Sequence, residues 1–265
     1  MLETTHLRML KWILGVHKKA NNNFCYGDTG RTPWTINVLP QCINYFNRAS
    51  LAEDVSVNTL LHHTFAEQKA LNLTWYRTWL SITSTSNSPS PCPSPTQAAT
   101  DHFRNRFIND WKVELQEQSK MFFYRTVKSD FREEEYLQLE KRSSRVNIAR
   151  LRSSSHDLLI ERSRYSTDFF NKAEKACRFC CSKDRDIITL FEQLPFFEAP
   201  IMESEDHVLT ECLGYHNIRL NLSENLKSLL MLKEYGLIMN SHHLPEFGKF
   251  LTDSFYLRNP RKKST

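Results

Sequence analysis

The sequence predicts a mainly α-helical protein with two helical pieces, 1–80 and 101–265, joined by a linker. Three features of its 265 residues support this fold class. Apolar and aromatic residues recur at helical spacing in most segments, whereas segments with strand-like patterning are few. Only 6 glycines are present, which argues against turn-rich all-β folds and Gly-dependent nucleotide-binding loops. Of the sixteen residues 81–96, thirteen are Ser, Thr or Pro, a composition that resists helix and sheet and cannot bury apolar area.

The N-terminal piece is predicted to hold helices with apolar residues on one face. The first of them ends near residues 15–23 and has Leu10, Ile13, Leu14 and His17 on one face. Thr32 and Pro33 form a pair typical of an N-cap followed by the first helical residue. Pro40 should then bend or interrupt this second helix, because proline has no N–H to donate. A further helix is predicted at 60–82.

The linker is assigned to 81–100, and Asp101 after it is predicted to cap a helix with an apolar residue at every fourth position. Further helices are predicted at 133–141, 146–152, 156–163, 215–234 and 245–257. We interpret the aromatic stripes of these helices as core packing. Residues 101–220 form a helical, basic segment that ends in a Cys/His module, and 221–265 hold C-terminal helices and a basic tail.

Composition excludes several classes of protein. A hydrophobic content of 40% and an aromatic content of 12% are too high for a disordered chain. No apolar run approaches the length of a membrane span, and the first residues lack the apolar core of a secretory signal. The seven cysteines are an odd number, which without an export signal favours thiols or metal ligands over disulfides. We therefore expect an intracellular protein, nuclear or cytoplasmic, with no membrane partner and no evident small-molecule substrate.

Four residues have the spacing of a metal site: Cys177, Cys180, His207 and Cys212. The pattern is C-x2-C, then twenty-six residues, then H-x4-C. Three thiolates and an imidazole would complete a closed, tetrahedral, structural zinc site, which leaves no open position for catalysis. Cys181 and His216 lie nearby in the sequence and are spare candidates for the same role. The alternative is a set of reduced thiols in a degraded motif, because the Phe-containing segment 186–202 lengthens the middle of the pattern.

A basic segment lies just before these cysteines. It spans residues 141–164, and its net charge of +5 equals that of the whole chain. Guanidinium groups suit phosphate oxygens, so the segment indicates contact with nucleic acid, either RNA or single strands. The alternative is a solvated helix face whose arginine stems cover apolar surface. The candidate residues are Lys141, Arg142, Arg145, Arg150, Arg152, Arg162 and Arg164.

Three other groups of polar residues are poor candidates for catalysis. Ser154, His156 and Asp157 are too close in sequence to converge as a hydrolase triad, so His156 is expected to cap or pack. The acidic run 133–135 is interpreted as a solvated first turn of a helix. The acidic residues just before His207 could orient it from outside the ligand set; they are Glu203, Glu205 and Asp206.

The order of the motifs resembles the region that follows the polymerase domain in non-LTR (LINE-type) retrotransposon reverse-transcriptase polyproteins. The N-terminal match comprises residues 10–16, Asn23, 26–33, Tyr45, Phe46 and Arg48. The central match comprises Phe107, Trp111, Tyr124, Lys128, Phe131, Glu135, Tyr136 and Leu137. The third part comprises 150–152, Ser154, His156, Ile160, Glu161, Arg164 and Tyr165, with Ser163 where the family usually has glycine. The terminal module comprises Cys177, Cys180, Glu203, Glu205, His207, Leu209, Cys212, Tyr215 and Arg219.

This resemblance implies a helical protein derived from a retrotransposon, with a zinc knuckle and a role in nucleic-acid binding. The paired aspartates of the polymerase are absent, since the sequence has no Asp-Asp dipeptide, and no endonuclease motif is present. The chain is therefore expected not to be an enzyme. The alternative function is that of a structural or interaction protein, or of a relic fragment of such a polyprotein.

Overall fold

The computed structural model describes residues 2–51, 63, 66, 67, 69–71, 77, 95–118, 121–162, 177, 179, 180, 202–239 and 242–258. Within them the protein is mainly helical, as predicted, and contains no strand; β-structure is limited to isolated bridges, among them an antiparallel one between Thr29 and Glu133. Most of the predicted helix at 60–82, residues 81–94 of the linker and residues 186–201 of the segment 186–202 lie outside the described residues. No helix in the described part of the chain is long and apolar enough to cross a bilayer.

The longer helices follow one another as α1 (Leu2–Leu14), α2 (Asn22–Thr29), α3 (Trp34–Leu51), α4 (Pro95–Glu117), α5 (Phe122–Val127) and α6 (Arg142–Arg152). A 3-10 turn, Glu135–Gln138, precedes α6. The C-terminal helices are α7 (Leu159–Arg162), α8 (His216–Leu220), α9 (Glu224–Met231), α10 (Tyr235–Met239) and α11 (Leu244–Arg258). A π-helical turn, His207–Glu211, and a 3-10 turn, Leu213–Tyr215, precede α8.

The chain forms two compact units. The first comprises Met1–Leu7 and Arg31–Glu117, and in it α3 packs against α4. Ile43 of α3 is buried there against Phe103 of α4. The first backbone N–H groups of a helix have no acceptor within the helix. At the start of α3, the backbone N–H of Trp34 instead donates to the carboxylate of Glu3 at 2.7 Å.

The second unit comprises Arg8–Gly30 and Gln118–Thr265, and its main helical pair is α6 with α11. Buried apolar side chains of α6 such as Ile148 and Leu151, and of α11 such as Phe247 and Phe250, form its core. The two helices approach closely at Gly248, where an added Cβ atom would lie 2.7 Å from the Cβ atom of Ser144. This pair supports the candidate site, because the chain that follows α6 leads directly to it.

Several predicted elements have different bounds in the structure. Pro40 lies inside α3, which continues to Leu51 without interruption. Helix α4 begins at Pro95 rather than at Asp101, so it includes residues 95–100 of the predicted linker. The separation of the chain at 81–94 stays a prediction.

Tertiary contacts explain two further differences. At 133–141 the structure has only the 3-10 turn, because the backbone N–H of Glu134 donates to the carbonyl of Asp28 at 3.0 Å and Glu133 bridges Thr29. The predicted helix at 215–234 is divided into α8 and α9 at Ser223, whose hydroxyl donates to the Glu246 carboxylate at 2.8 Å. Both breaks depend on partners that are distant in sequence.

Candidate metal centre and basic surface

The four predicted ligands converge. Their sulfur and nitrogen atoms all lie within 4.8 Å of one another, so the group could hold a metal ion. Sγ of Cys177 lies 3.4 Å from Sγ of Cys212, and Sγ of Cys180 lies 3.7 Å from Sγ of Cys212 and 3.4 Å from Nε2 of His207. Ligands at tetrahedral angles around an ion, with metal–ligand bonds of about 2.0–2.3 Å, are roughly 3.5–3.8 Å apart. The observed separations therefore suit a four-coordinate ion.

The spacing between His207 and Cys212 corresponds to a single π-helical turn. The backbone N–H of Cys212 donates to the carbonyl of His207 at 2.7 Å, which closes an i to i+5 turn. The guanidinium of Arg219 donates to the carbonyls of Val208, at 3.1 Å, and of Cys212. The H-x4-C half of the pattern is thus held by backbone geometry rather than by the ligands alone.

The ligand group lies in an apolar environment. Cys177 and Cys212 are fully buried and pack with Leu158, Val208 and Tyr215. Phe179, between the two N-terminal cysteines, packs edge-on against Tyr215 at a ring distance of 5.2 Å and remains 39% exposed. The hydrogen bond between Cys177 and Cys212 lowers the pKa of the Cys177 thiol and raises that of Cys212. A thiolate is therefore favoured within this pair.

The acidic residues before His207 do not orient it, which corrects the sequence-based expectation. Glu203 accepts hydrogen bonds from Nε of Arg258, at 2.6 Å, and from the backbone of Leu159, at 2.7 Å. His207 instead has the Glu211 carboxylate 3.8 Å from its Nδ1 atom. Nδ1 itself is buried without a hydrogen bond among the described residues.

The other two acids also bind groups away from the ligands. Glu205 lies 2.9 Å from Nε2 of His156 and accepts from the hydroxyl of Ser154 at 3.2 Å. Burial opposes ionisation of Glu205, but the hydrogen bond and charge of His156 outweigh it and lower the pKa of this carboxyl to about 2. Asp206 accepts from the Tyr235 hydroxyl at 2.9 Å. The acidic cluster therefore fixes the segment that carries His207 and Cys212 to three other parts of the unit.

The basic segment divides into exposed and internal cations. Lys141 and Arg142, at the start of α6, are exposed. Arg145 is partly buried and donates to the carbonyls of Leu139 and Glu140. Arg150 donates to the carbonyl of Gly15 at 2.9 Å. The side chain of Arg162, and Arg164 entirely, lie outside the described residues.

Arg152 belongs to the core, which corrects its assignment to a nucleic-acid surface. Its side chain is fully buried and binds Asp28 through two hydrogen bonds, of 3.0 and 2.9 Å. Nη2 also lies 3.1 Å from the carboxylate of Glu134, which in turn binds the buried Lys128. The Tyr136 hydroxyl donates to Asp28 at 2.7 Å. A guanidinium with these partners is not available to phosphate.

The charges in this buried network shift the pKa values of its members. Burial lowers the pKa of Arg152, but the adjacent Asp28 and Glu134 carboxylates raise it by a larger amount, so the net change in the pKa is upward. For Lys128 burial is the stronger effect and the pKa is lowered. No spacing rule links Asp28 with Arg152, which lies 124 positions later, so sequence reasoning missed the pair. Glu134 was interpreted as solvated because it lies in an acidic run.

Comparison of the chain with protein-family models, with curated proteins and with solved structures found no match.

Proposed function

We propose that this chain is a retrotransposon-derived, non-catalytic protein that folds around a structural zinc ion and binds nucleic acid. The convergence of Cys177, Cys180, His207 and Cys212 is the observation that carries this proposal. Three thiolates and one imidazole at tetrahedral separations favour zinc over harder cations. Four protein ligands leave no position for a reacting water, so the ion would have a structural role. Cysteines that stay reduced or bind a metal are typical of intracellular proteins, so we expect a nuclear or cytoplasmic location.

Zinc content tests the first half of the proposal. The protein purified without chelator should contain one zinc per chain by plasma mass spectrometry, and Cys177→Ser should lose it. Cys42→Ser is the matched control, because Cys42 is an exposed free cysteine that does not belong to the ligand group. Chelation should lower the thermal unfolding midpoint of the Cys42→Ser protein and leave that of Cys177→Ser unchanged, since ligation contributes folding free energy. No zinc in the unsubstituted protein would favour the degraded motif.

The nucleic-acid half of the proposal is supported by the order of motifs and by the exposed cations at the start of α6. The chain between α6 and α7 packs against the ligand group through Leu158, so the basic helix leads into the metal centre. Exposed Lys141 and Arg142 can reach phosphate oxygens, whereas Arg152 cannot. Sequence preference should be weak, because phosphate contacts carry no base information.

A salt titration tests this half. Binding of a fluorescein-labelled single strand, followed by anisotropy, should weaken with salt at a log–log slope of roughly −2 to −4 if three to five phosphates are engaged, at about −0.7 per phosphate. Replacing Lys141 and Arg142 by glutamine should reduce the magnitude of the slope by about 1.4. Undetectable binding at low salt would favour a structural or relic protein.

The non-catalytic part of the proposal has its own test. Extensively washed protein should lack magnesium-dependent primer extension, since the polymerase's paired aspartates are absent.

A further inference from the structure

A surface groove lies between the end of α1 and the start of α6. It encloses about 490 Å³ and is lined by Trp12, Ile13, Leu137, Gln138, Leu139, Glu140, Arg142 and Arg145. The two sides are held together at Gly15, whose carbonyl accepts from Arg150 and whose backbone lies against Val146. A side chain at Gly15 would overlap Val146, and its φ of 64° also favours glycine. The groove is therefore a fixed feature of the second unit.

The lining of the groove includes Arg142 and Arg145, and the segment that supplies Trp12 is itself basic. Residues 8–27 contain Arg8, Lys11, Lys18 and Lys19 and no acidic residue. Nζ of Lys11 donates to the carbonyl of Lys18 at 2.9 Å, so this bond leaves its charge uncompensated by a carboxylate. The same holds for Arg145 on the other side, which donates to carbonyl oxygens. Among the described residues that line the groove, Glu140 is the one acid.

The α1 side of the groove carries an exposed aromatic ring. Trp12 is 73% exposed, and its neighbours on the same face of α1, Met9 and Ile13, are 52% and 47% exposed. An indole ring in a groove with guanidinium groups is the combination that binds single-stranded nucleic acid, because bases stack on the ring while cations contact the phosphates. Charge complementarity thus favours a polyanion with exposed bases over an apolar protein segment.

We propose that Trp12 is a base-stacking residue and that this groove is the single-strand binding site of the protein. The inference rests on the proposed function and adds to it the aromatic group that the basic segment by itself lacks. Trp12 and Arg142 are 130 positions apart in sequence, and α1 brings the ring to the basic helix. Stacking accepts every base, so the site would not discriminate strongly between sequences.

The test compares Trp12→Leu with the unsubstituted protein on a 12-nucleotide uridine oligomer. Anisotropy should show roughly five- to 150-fold weaker binding, the range expected for loss of one stacked base. The salt slope should stay the same, because no charge is removed. On a 12-unit abasic strand, which has phosphates and no bases, Trp12→Leu and the unsubstituted protein should bind equally.

Trp34→Leu is the matched control, since Trp34 is a 41% exposed tryptophan that is not among the residues lining the groove. Its affinity should not change. If the unsubstituted protein binds no oligomer, the proposed function fails together with this inference. If it binds and Trp12→Leu binds equally well, only this inference is overturned. A self-association by light scattering that Trp12→Leu abolishes, with oligomer affinity unchanged, would assign the face to a second copy of the chain.

Discussion

Burial of the Arg152 guanidinium carries a large desolvation penalty, which only near-complete pairing offsets. Asp28 and Glu134 supply the opposite charges, and the rings of Tyr124 and Tyr136 lie 5.4 and 5.5 Å from the guanidinium carbon. Lys128 balances the second carboxylate. Because the four charges sum to zero inside the core, removal of any one leaves an uncompensated buried ion.

Replacing Arg152 by methionine should therefore destabilise the protein by about 3–5 kcal/mol, since Asp28 and Glu134 would lose their shared partner. Arg142→Met on the same helix is the control, because Arg142 is exposed, and its effect should stay within about 0.5 kcal/mol. Urea unfolding followed by circular dichroism measures both. Equal stability of the two variants would show that the ion network contributes little.

At the same scale, residue type and spacing were sufficient to predict the metal ligands and insufficient for Arg152. A C-x2-C pair with H-x4-C restricts geometry locally, so the pattern itself implies convergence. An arginine on a helix does not by itself indicate its location, because the long side chain can lie on the surface or extend into the core. Its role depended on Asp28, a partner set by the fold rather than by the sequence nearby.

At the scale of elements, the packing of α6 against α11 depends on the absence of a side chain at Gly248. A Cβ atom added at Gly248 would lie 2.7 Å from Cβ of Ser144, closer than real Cβ atoms approach, and 3.1 Å from its Oγ, which is a tight contact. The helices must therefore separate, or Ser144 must move, when this position gains a methyl group.

Gly248→Ala should destabilise the protein by about 1–3 kcal/mol through this overlap, less about 1 kcal/mol gained in helix propensity. Adding Ser144→Gly should relieve the overlap, with a favourable coupling of about 0.5–3 kcal/mol in a double-mutant cycle. Gly236→Ala is the matched control, since the nearest atom to its Cβ would be a carbonyl oxygen at 3.7 Å. Additive effects of the two substitutions would contradict close packing as the cause.

Periodicity predicted the helices that bury a continuous stripe, such as α6 and α11, and failed where tertiary partners intervene. The predicted helix at 215–234 has the right composition, yet the Glu246 side chain binds Ser223 and starts a new helix there. The predicted helix at 133–141 is shortened by backbone pairing with the end of α2. In both places a distant group outcompeted the local propensity.

At the scale of the whole molecule, the metal centre joins segments that are far apart in sequence. The cysteines at 177 and 180 meet a turn that Glu203, Glu205 and Asp206 fix to α11, to the segment that follows α6 and to α10. Ligation would therefore stabilise the second unit through contacts with most of its C-terminal helices.

The Ser/Thr/Pro-rich stretch, by contrast, should be cut first in limited proteolysis. Its composition offers no apolar area to bury, so a protease should reach 81–94 before either flanking helix. Mass spectrometry of the early fragments identifies the site. First cleavage within Pro95–Glu117, with 81–94 intact, would contradict the predicted linker.

The neutral ion network has a consequence for cooperativity. Asp28, Glu134 and Arg152 come from three separate parts of the chain, and the backbone N–H of Glu134 donates to the Asp28 carbonyl. If α2 opened alone, it would leave the Arg152 guanidinium in the core without one of its two counterions, a loss that costs about 3–5 kcal/mol and disfavours partial opening. The three segments should therefore open as one unit, and the Glu134 amide should exchange its hydrogen only when the whole second unit unfolds.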